Sequence, residues 1–178
     1  MTDNLSDLSL EERATNYETY KHIDLVTKLL LAMQIEISKR IATHDRSKLE
    51  SPEVSIFTEF TPKLASVSYG TQEYFERLKQ MKPALDSHYA HNRHHPEFFE
   101  NGVNDMNLID LLEMMVDWYA SCCRHSDGDI NRSIEINRSR FGLSDQLTQI
   151  LKKSVELIEC SMDFGQFKTQ KDISYRDN

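Results

Sequence analysis

The residues best suited to chemistry are histidines and acids. Seven histidines occur in the 178-residue sequence, and His88, His91, His94 and His95 crowd one short stretch. If that stretch is helical, His88, His91 and His95 fall at steps of three and four and share a face. Imidazole is the commonest metal ligand and binds through either ring nitrogen. The pair His44-Asp45 adds a carboxylate, with His22 earlier and Asp117 later. A mixed imidazole and carboxylate set suits Mn, Fe, Co, Ni or Zn and disfavours a thiolate centre. Each signal has a bland counterpart. A His-rich stretch is often a solvated surface, and a His-Asp dipeptide arises by chance or as a helix cap. Asp110, Glu113 and Asp117 form an acidic stripe at helical spacing. We assign Asp110 to a solvated face. Asp117, flanked by Val116 and Trp118, reads as buried, and a buried carboxylate needs a partner such as a metal.

The elements that must position these residues are helices. Apolar residues recur at Ile23, Val26, Leu29, Leu30, Met33, Ile37 and Ile41, marking an amphipathic helix over 17–42. The segment 43–49, carrying His44-Asp45-Arg46-Ser47-Lys48, reads as a helical turn. Ser51-Pro52-Glu53 has the form of a helix start, with proline at the first position and an acid in the first turn. Gly70-Thr71 precedes another helical pattern that Pro83 should interrupt. Asn107 caps a strongly periodic helix running to about 125, in which Met114 and Met115 read as core. Ser126 to Asp129 form a turn before the next helix. Gly142 ends that helix and Ser144-Asp145 begins the last one. With no alternating strand pattern, the expectation is an all-α, single compact helical bundle over 16–160. Residues 1–15 are expected as a flexible arm and 161–178 as a tail.

Composition narrows the class. Hydrophobic residues make up 39% and charged residues 28%, as in ordinary globular chains. Cys122 and Cys123 are adjacent and Cys160 stands alone, so a disulfide framework is not expected and a reducing cytoplasm is. No stretch reaches the roughly 18 apolar residues that span a bilayer, so no membrane role is expected. The polar, acidic start argues against a signal or transit peptide. A net charge of -8 disfavours long nucleic acid as a partner. Homo-oligomer formation is left open.

The order His22, His44-Asp45, downstream histidines and Asp117 resembles the HD-domain superfamily of metal-dependent phosphohydrolases. His44-Asp45-Arg46-Ser47-Lys48 is similar to the HD-x-x-K form of members that hydrolyse phosphodiesters. His94-His95-Pro96-Glu97 is similar to a His-His-Glu element of that branch, with a proline intervening. No Gly-Tyr-Pro segment follows, so cyclic-dinucleotide hydrolysis does not transfer. Residues 17–155, through KPALDSHYAHNRHHPEFFENG, LIDLLEMMVDWYA and GDINRSIEINRSRF, are similar to an uncharacterised family of phage and bacterial proteins.

The resemblance implies an HD-like bundle in which His22, His44, Asp45 and Asp117 hold a metal. It implies His91 and His95 at a second ion, with His88 and His94 as alternatives and Asp45 as the bridge. One or two divalent ions are thus implied. Catalytic roles fall to Asp45, Lys48 and His94, and substrate contacts to Lys48, Arg93 and Arg138. Glu97 is placed either to orient a ligand histidine or to cap the helix at Pro96. The expected function is hydrolysis of a nucleotide or related small phosphate ester or anhydride, in the cytoplasm of a bacterium or phage-infected cell. The alternative is a phage protein that binds a nucleotide or host protein and keeps a structural or degenerate metal site. A third option is oxidation, since some HD-like folds carry iron pairs.

Overall fold

The computed structural model describes residues 8–67, 71–124 and 127–161. The described residues form seven α-helices and no strand, so the protein is all-α. Gly70, Ser126 and the tail from 162 onward, to which the sequence assigned a break, a turn and an extension, lie outside the described residues. The chain divides into two units at the His44–Asp45 peptide bond.

The first unit is helix α1, Leu10–Thr43. It begins earlier than the hydrophobic pattern implies because Ser9 and Glu12 close a capping box, each side chain bonding the other's backbone N–H. Such a box satisfies two of the donors a helix start leaves open. Lys21–Glu18, Lys28–Asp24 and Lys39–Glu36 pair along the exposed surface of α1.

The second unit opens on a short 3-10 turn, Arg46–Leu49, followed by α2, Glu53–Ala65. Helices α3, Gln72–Gln80, and α4, Lys82–His91, follow. The break between them falls at Met81, two residues before Pro83, which sits in the first turn of α4 where a missing N–H costs nothing. Two 3-10 turns, Pro96–Phe98 and Gly102–Asp105, lead to α5, Leu108–Cys123. Asn107 caps α5 as its sequence suggests, accepting from the N–H groups of Ile109 and Asp110. Helices α6, Ile130–Phe141, and α7, Asp145–Ser161, complete the unit. Gly142 takes φ 64° to end α6, a conformation that costs a glycine little.

Helices α5, α6 and α7 enclose the main core: Met114, Met115, Tyr119, Ile134, Leu151 and Val155 are all buried in it. Around α2, α3 and α4, Met81 and Ala84 are also fully buried. No helix among the described residues is long and apolar enough to cross a membrane.

Candidate metal centre

Asp45 stands at the start of the second unit with φ 56°, in the left-handed region. Aspartate is one of the few residues with a side chain that enters this region readily. The 3-10 turn that follows places Lys48 beside Asp45, the two forming an ion pair. Lys48 also lies 5.4 Å from the centre of the Phe57 ring.

Asp45 meets three imidazoles. Its Oδ1 is 3.2 Å from His88 Nε2 and 3.4 Å from His94 Nε2. His88 Nε2 and His95 Nε2 are 2.9 Å apart. One ligand atom from each of Asp45, His88, His94 and His95 lies within 4.8 Å of all the others, close enough that the four could hold an ion. Nitrogen and oxygen ligands bind zinc-like ions at about 2.0–2.2 Å, so neighbours on one ion sit roughly 3.0–3.4 Å apart. The separations of Asp45 Oδ1 from His88 and His94 fall in that range, and the His88–His95 separation lies just below it.

The histidine stretch does not supply the helical face expected of it. Helix α4 ends at His91, and Asn92 is extended with φ -120° and ψ 106°. His95 is extended as well, because the residue before a proline is pushed out of the α region. The chain therefore turns back, and His94 and His95 rejoin His88 from the loop. His91 is left exposed, its Nδ1 bonded to the Ser87 carbonyl at 2.7 Å. Of the four histidines, His88, His94 and His95 come together, and His91 does not join them. His94, expected as an acid catalyst, is buried among the ligands.

His22 and His44 belong to one uninterrupted helix and its cap. At 1.5 Å per residue they stand roughly 30 Å apart along the axis, so α1 does not bring them to a common ion. His44 caps α1, its N–H donating to the Arg40 carbonyl, and joins Asp45 directly. Asp117, on α5, lines the cavity beside the centre and acts electrostatically on His94.

Four further residues with sequence assignments have partners of their own. Asp110, read as solvated, is fully buried and accepts from Arg93 Nη2 at 2.9 Å and Nε at 3.2 Å. Arg93 commits its Nε and Nη2 edge to that fork and lies against Phe98 and Phe99. Arg138 pairs with Asp145 and Glu135 at the surface and does not line the cavity. Glu97 bonds Arg140 at 2.7 Å and orients no histidine. The acids behind the ligands are instead Glu53, 3.0 Å from His88 Nδ1, and Glu113, 3.3 Å from His94 Nδ1. Sequence reasoning took Glu53 only as a first-turn acid, and Glu113 only as one member of a stripe.

The electrostatics follow from these contacts. Burial works to raise the Asp45 pKa, but the imidazoles of His88 and His94 beside its carboxylate and the charge of Lys48 outweigh it. The carboxyl is held well below the usual carboxylate range. His94 feels burial that favours its neutral form, yet its bonds to Asp45 and Glu113 and the charge of Asp117 prevail, raising its pKa. His95 is driven down to about 2 by burial and by the neighbouring charges of His94, His88 and Lys48.

These shifts have a measurable consequence. Because His94 binds a proton more tightly than an ordinary imidazole, an incoming metal must displace that proton. Apparent affinity should therefore be full above the raised pKa and fall as pH drops through it, by up to about tenfold per pH unit. Titration calorimetry at pH 6 and pH 8, in buffers of different ionisation enthalpy, should show weaker binding and greater proton release at pH 6. Equal affinity and no proton release would contradict this assignment.

A cavity of about 510 Å³ opens beside the cluster, within the range typical of small-molecule sites. Lys48, His88, His95 and Asp117 line its polar end, and Tyr89 and Trp118 are among its aromatic walls.

The chain belongs to a family of unknown function, DUF5662, which matches residues 11–157. No curated protein and no solved structure matches it.

Proposed function

We propose that this protein is a metal-dependent phosphohydrolase acting on a nucleotide or a related small phosphate ester or anhydride. The observation that carries the reading is the convergence of Asp45, His88, His94 and His95 beside a small-molecule-sized cavity that His88, His95 and Lys48 line. A divalent ion at this cluster supplies Lewis acidity, lowering the pKa of a coordinated water toward ~7. Lys48 offsets phosphate charge. Asp117, at the cavity wall, adds negative charge beside His94. Tyr89 and Trp118 give the rest of the substrate an apolar surface to pack on. The acidic whole-chain charge fits a small substrate better than a long nucleic acid. We place the activity in the cytoplasm of a bacterial or phage-infected cell.

A second reading, a binding protein with a structural metal, draws on a specific feature. Four protein ligands already complete a tetrahedral ion, and closed sites of that kind are structural. An ion that takes five or six ligands, such as Mn, Fe, Co or Ni, keeps positions for water and phosphate.

A phosphate-release screen separates the two readings. Nucleoside mono-, di- and triphosphates would be offered to protein loaded with Mn, Co, Ni or Zn. Hydrolysis is expected with at least one of the first three ions. Lys48→Met should raise KM by about tenfold or more, reflecting one lost charged contact of ~1.5–3 kcal/mol, while metal content stays unchanged. Metal-loaded protein that releases no phosphate with any ion would favour the binding-protein reading.

A further inference from the structure

We propose that Glu53 is a positioning residue of the metal centre, fixing the proton of His88 on Nδ1 so that Nε2 presents a lone pair to the ion. The inference rests on the metal-centre reading and adds a role for a residue outside the ligand set.

Glu53 occupies the first turn of α2 and is 1% exposed. Its carboxylate receives three donors from two parts of the chain, the turn at Ser47 and helix α4. Ser87 Oγ donates to Oε1 at 3.0 Å, Ser47 Oγ donates to Oε2 at 3.0 Å, and His88 Nδ1 lies 3.0 Å from Oε2.

The tautomer follows from counting hydrogens. Three groups approach His88 Nδ1: Glu53 Oε2, Ser47 Oγ at 3.2 Å and Asn92 Nδ2 at 3.0 Å. The Asn92 amide has two hydrogens. They are used on the His88 carbonyl at 2.8 Å and on Ser47 Oγ at 2.9 Å. The one Ser47 hydroxyl hydrogen goes to Glu53. The Glu53 carboxylate can only accept. The remaining hydrogen in this set must therefore sit on His88 Nδ1 and point at Glu53. In the neutral ring His88 Nε2 is then the unprotonated nitrogen, and it is the atom that faces Asp45 Oδ1 and His95 Nε2. Glu113 stands behind His94 Nδ1 in the same relation, so the two carboxylates back two of the three imidazoles. A carboxylate behind a ligand imidazole fixes its ring and raises its basicity, and removing such a partner typically costs 10–100-fold in metal affinity.

The test combines nitrogen-15 NMR of the His88 ring in the metal-free protein with Co²⁺ titration of the wild type, Glu53→Gln and Ser87→Ala. The NMR measurement, made at a pH where the ring is neutral, should find the proton on Nδ1. Glu53→Gln keeps the shape but loses the charge, and should bind Co²⁺ 10–100-fold more weakly with an altered visible spectrum. Ser87→Ala removes a donor to the same carboxylate but leaves the imidazole contact, and should stay within about threefold of the wild type. A wild-type ring protonated on Nε2, or a folded Glu53→Gln variant with wild-type affinity and spectrum, would overturn the role given to Glu53 while leaving the metal centre standing. A wild type that binds no Co²⁺ would remove the metal centre itself. The wild-type NMR result decides the tautomer even if Glu53→Gln fails to fold.

Discussion

Asp45→Asn should abolish metal binding, weakening affinity by more than about 100-fold, with phosphate release falling in step. The asparagine is nearly isosteric and tolerates the left-handed backbone that Asp45 adopts at φ 56°. The change therefore removes an anionic ligand atom without straining the turn. Loss of even an outer-sphere partner costs up to about 100-fold, and Asp45 Oδ1 lies directly against His88 and His94. The metal-free protein should also lose stability, by about 1–3 kcal/mol at neutral pH. The sign follows from linkage. The Asp45 carboxyl is depressed in the folded state, so its contribution is present above the ordinary aspartate pKa and lost as pH falls through the depressed value. Denaturation of wild type and variant should differ at pH 7 and converge under strong acid. An Asp45→Asn protein that binds metal as tightly as the wild type would remove Asp45 from the centre.

His88→Ala should be the most destabilising single change at the site. His88 is 1% exposed and touches Glu53, Ser47, Asn92, Asp45 and His95. Removing the ring deletes a metal ligand and also strips a buried carboxylate of its imidazole partner. Leaving a buried carboxylate short of a hydrogen-bond donor and opening a cavity where the ring stood together cost about 3–5 kcal/mol. For a domain of this size that lowers Tm by roughly 6–20 °C. Combining the change with Glu53→Gln removes the stranded charge, so the double variant should recover part of the loss, and the cycle should show a coupling of about 1 kcal/mol or more. Strictly additive effects in thermal or urea unfolding would mean that Glu53 and His88 are not a stabilising pair.

What could be read from the sequence was local. The Asn107 cap, the Gly142 stop and the break near Pro83 depend on a few neighbouring residues, and each appears where its side-chain chemistry places it. The 3.6-residue periodicity of 108–123 marked Met114 and Met115 as core, and both are buried. The cluster of histidines was also visible, but its membership was not. Helical spacing chose His91, whereas the extended conformation of Asn92 and the effect of Pro96 on His95 end the helix first. Pro96 was the signal that could have corrected this.

The remaining differences come from contacts distant in sequence. Asp110 appeared to be a surface acid because nothing nearby showed that Arg93, 17 residues earlier, would fork onto it. Glu53 became part of the centre because α2 and α4 pack together, bringing it to His88 from 35 residues away. Neither pairing has a local pattern. His22 was linked to His44 by the order of motif residues, and order says nothing about length. An unbroken helix from Leu10 to Thr43 keeps them apart.

The most direct test of the central claim is the anomalous scattering of crystals grown with Mn²⁺ or Co²⁺. The expected result is an ion bound at about 2.0–2.3 Å by Asp45 Oδ1 and the Nε2 atoms of His88, His94 and His95. Full occupancy should be reached at metal concentrations that leave Asp45→Asn crystals empty. An ion bound elsewhere, or no anomalous peak among these four side chains at saturating metal, would contradict the assignment of this cluster as a metal centre.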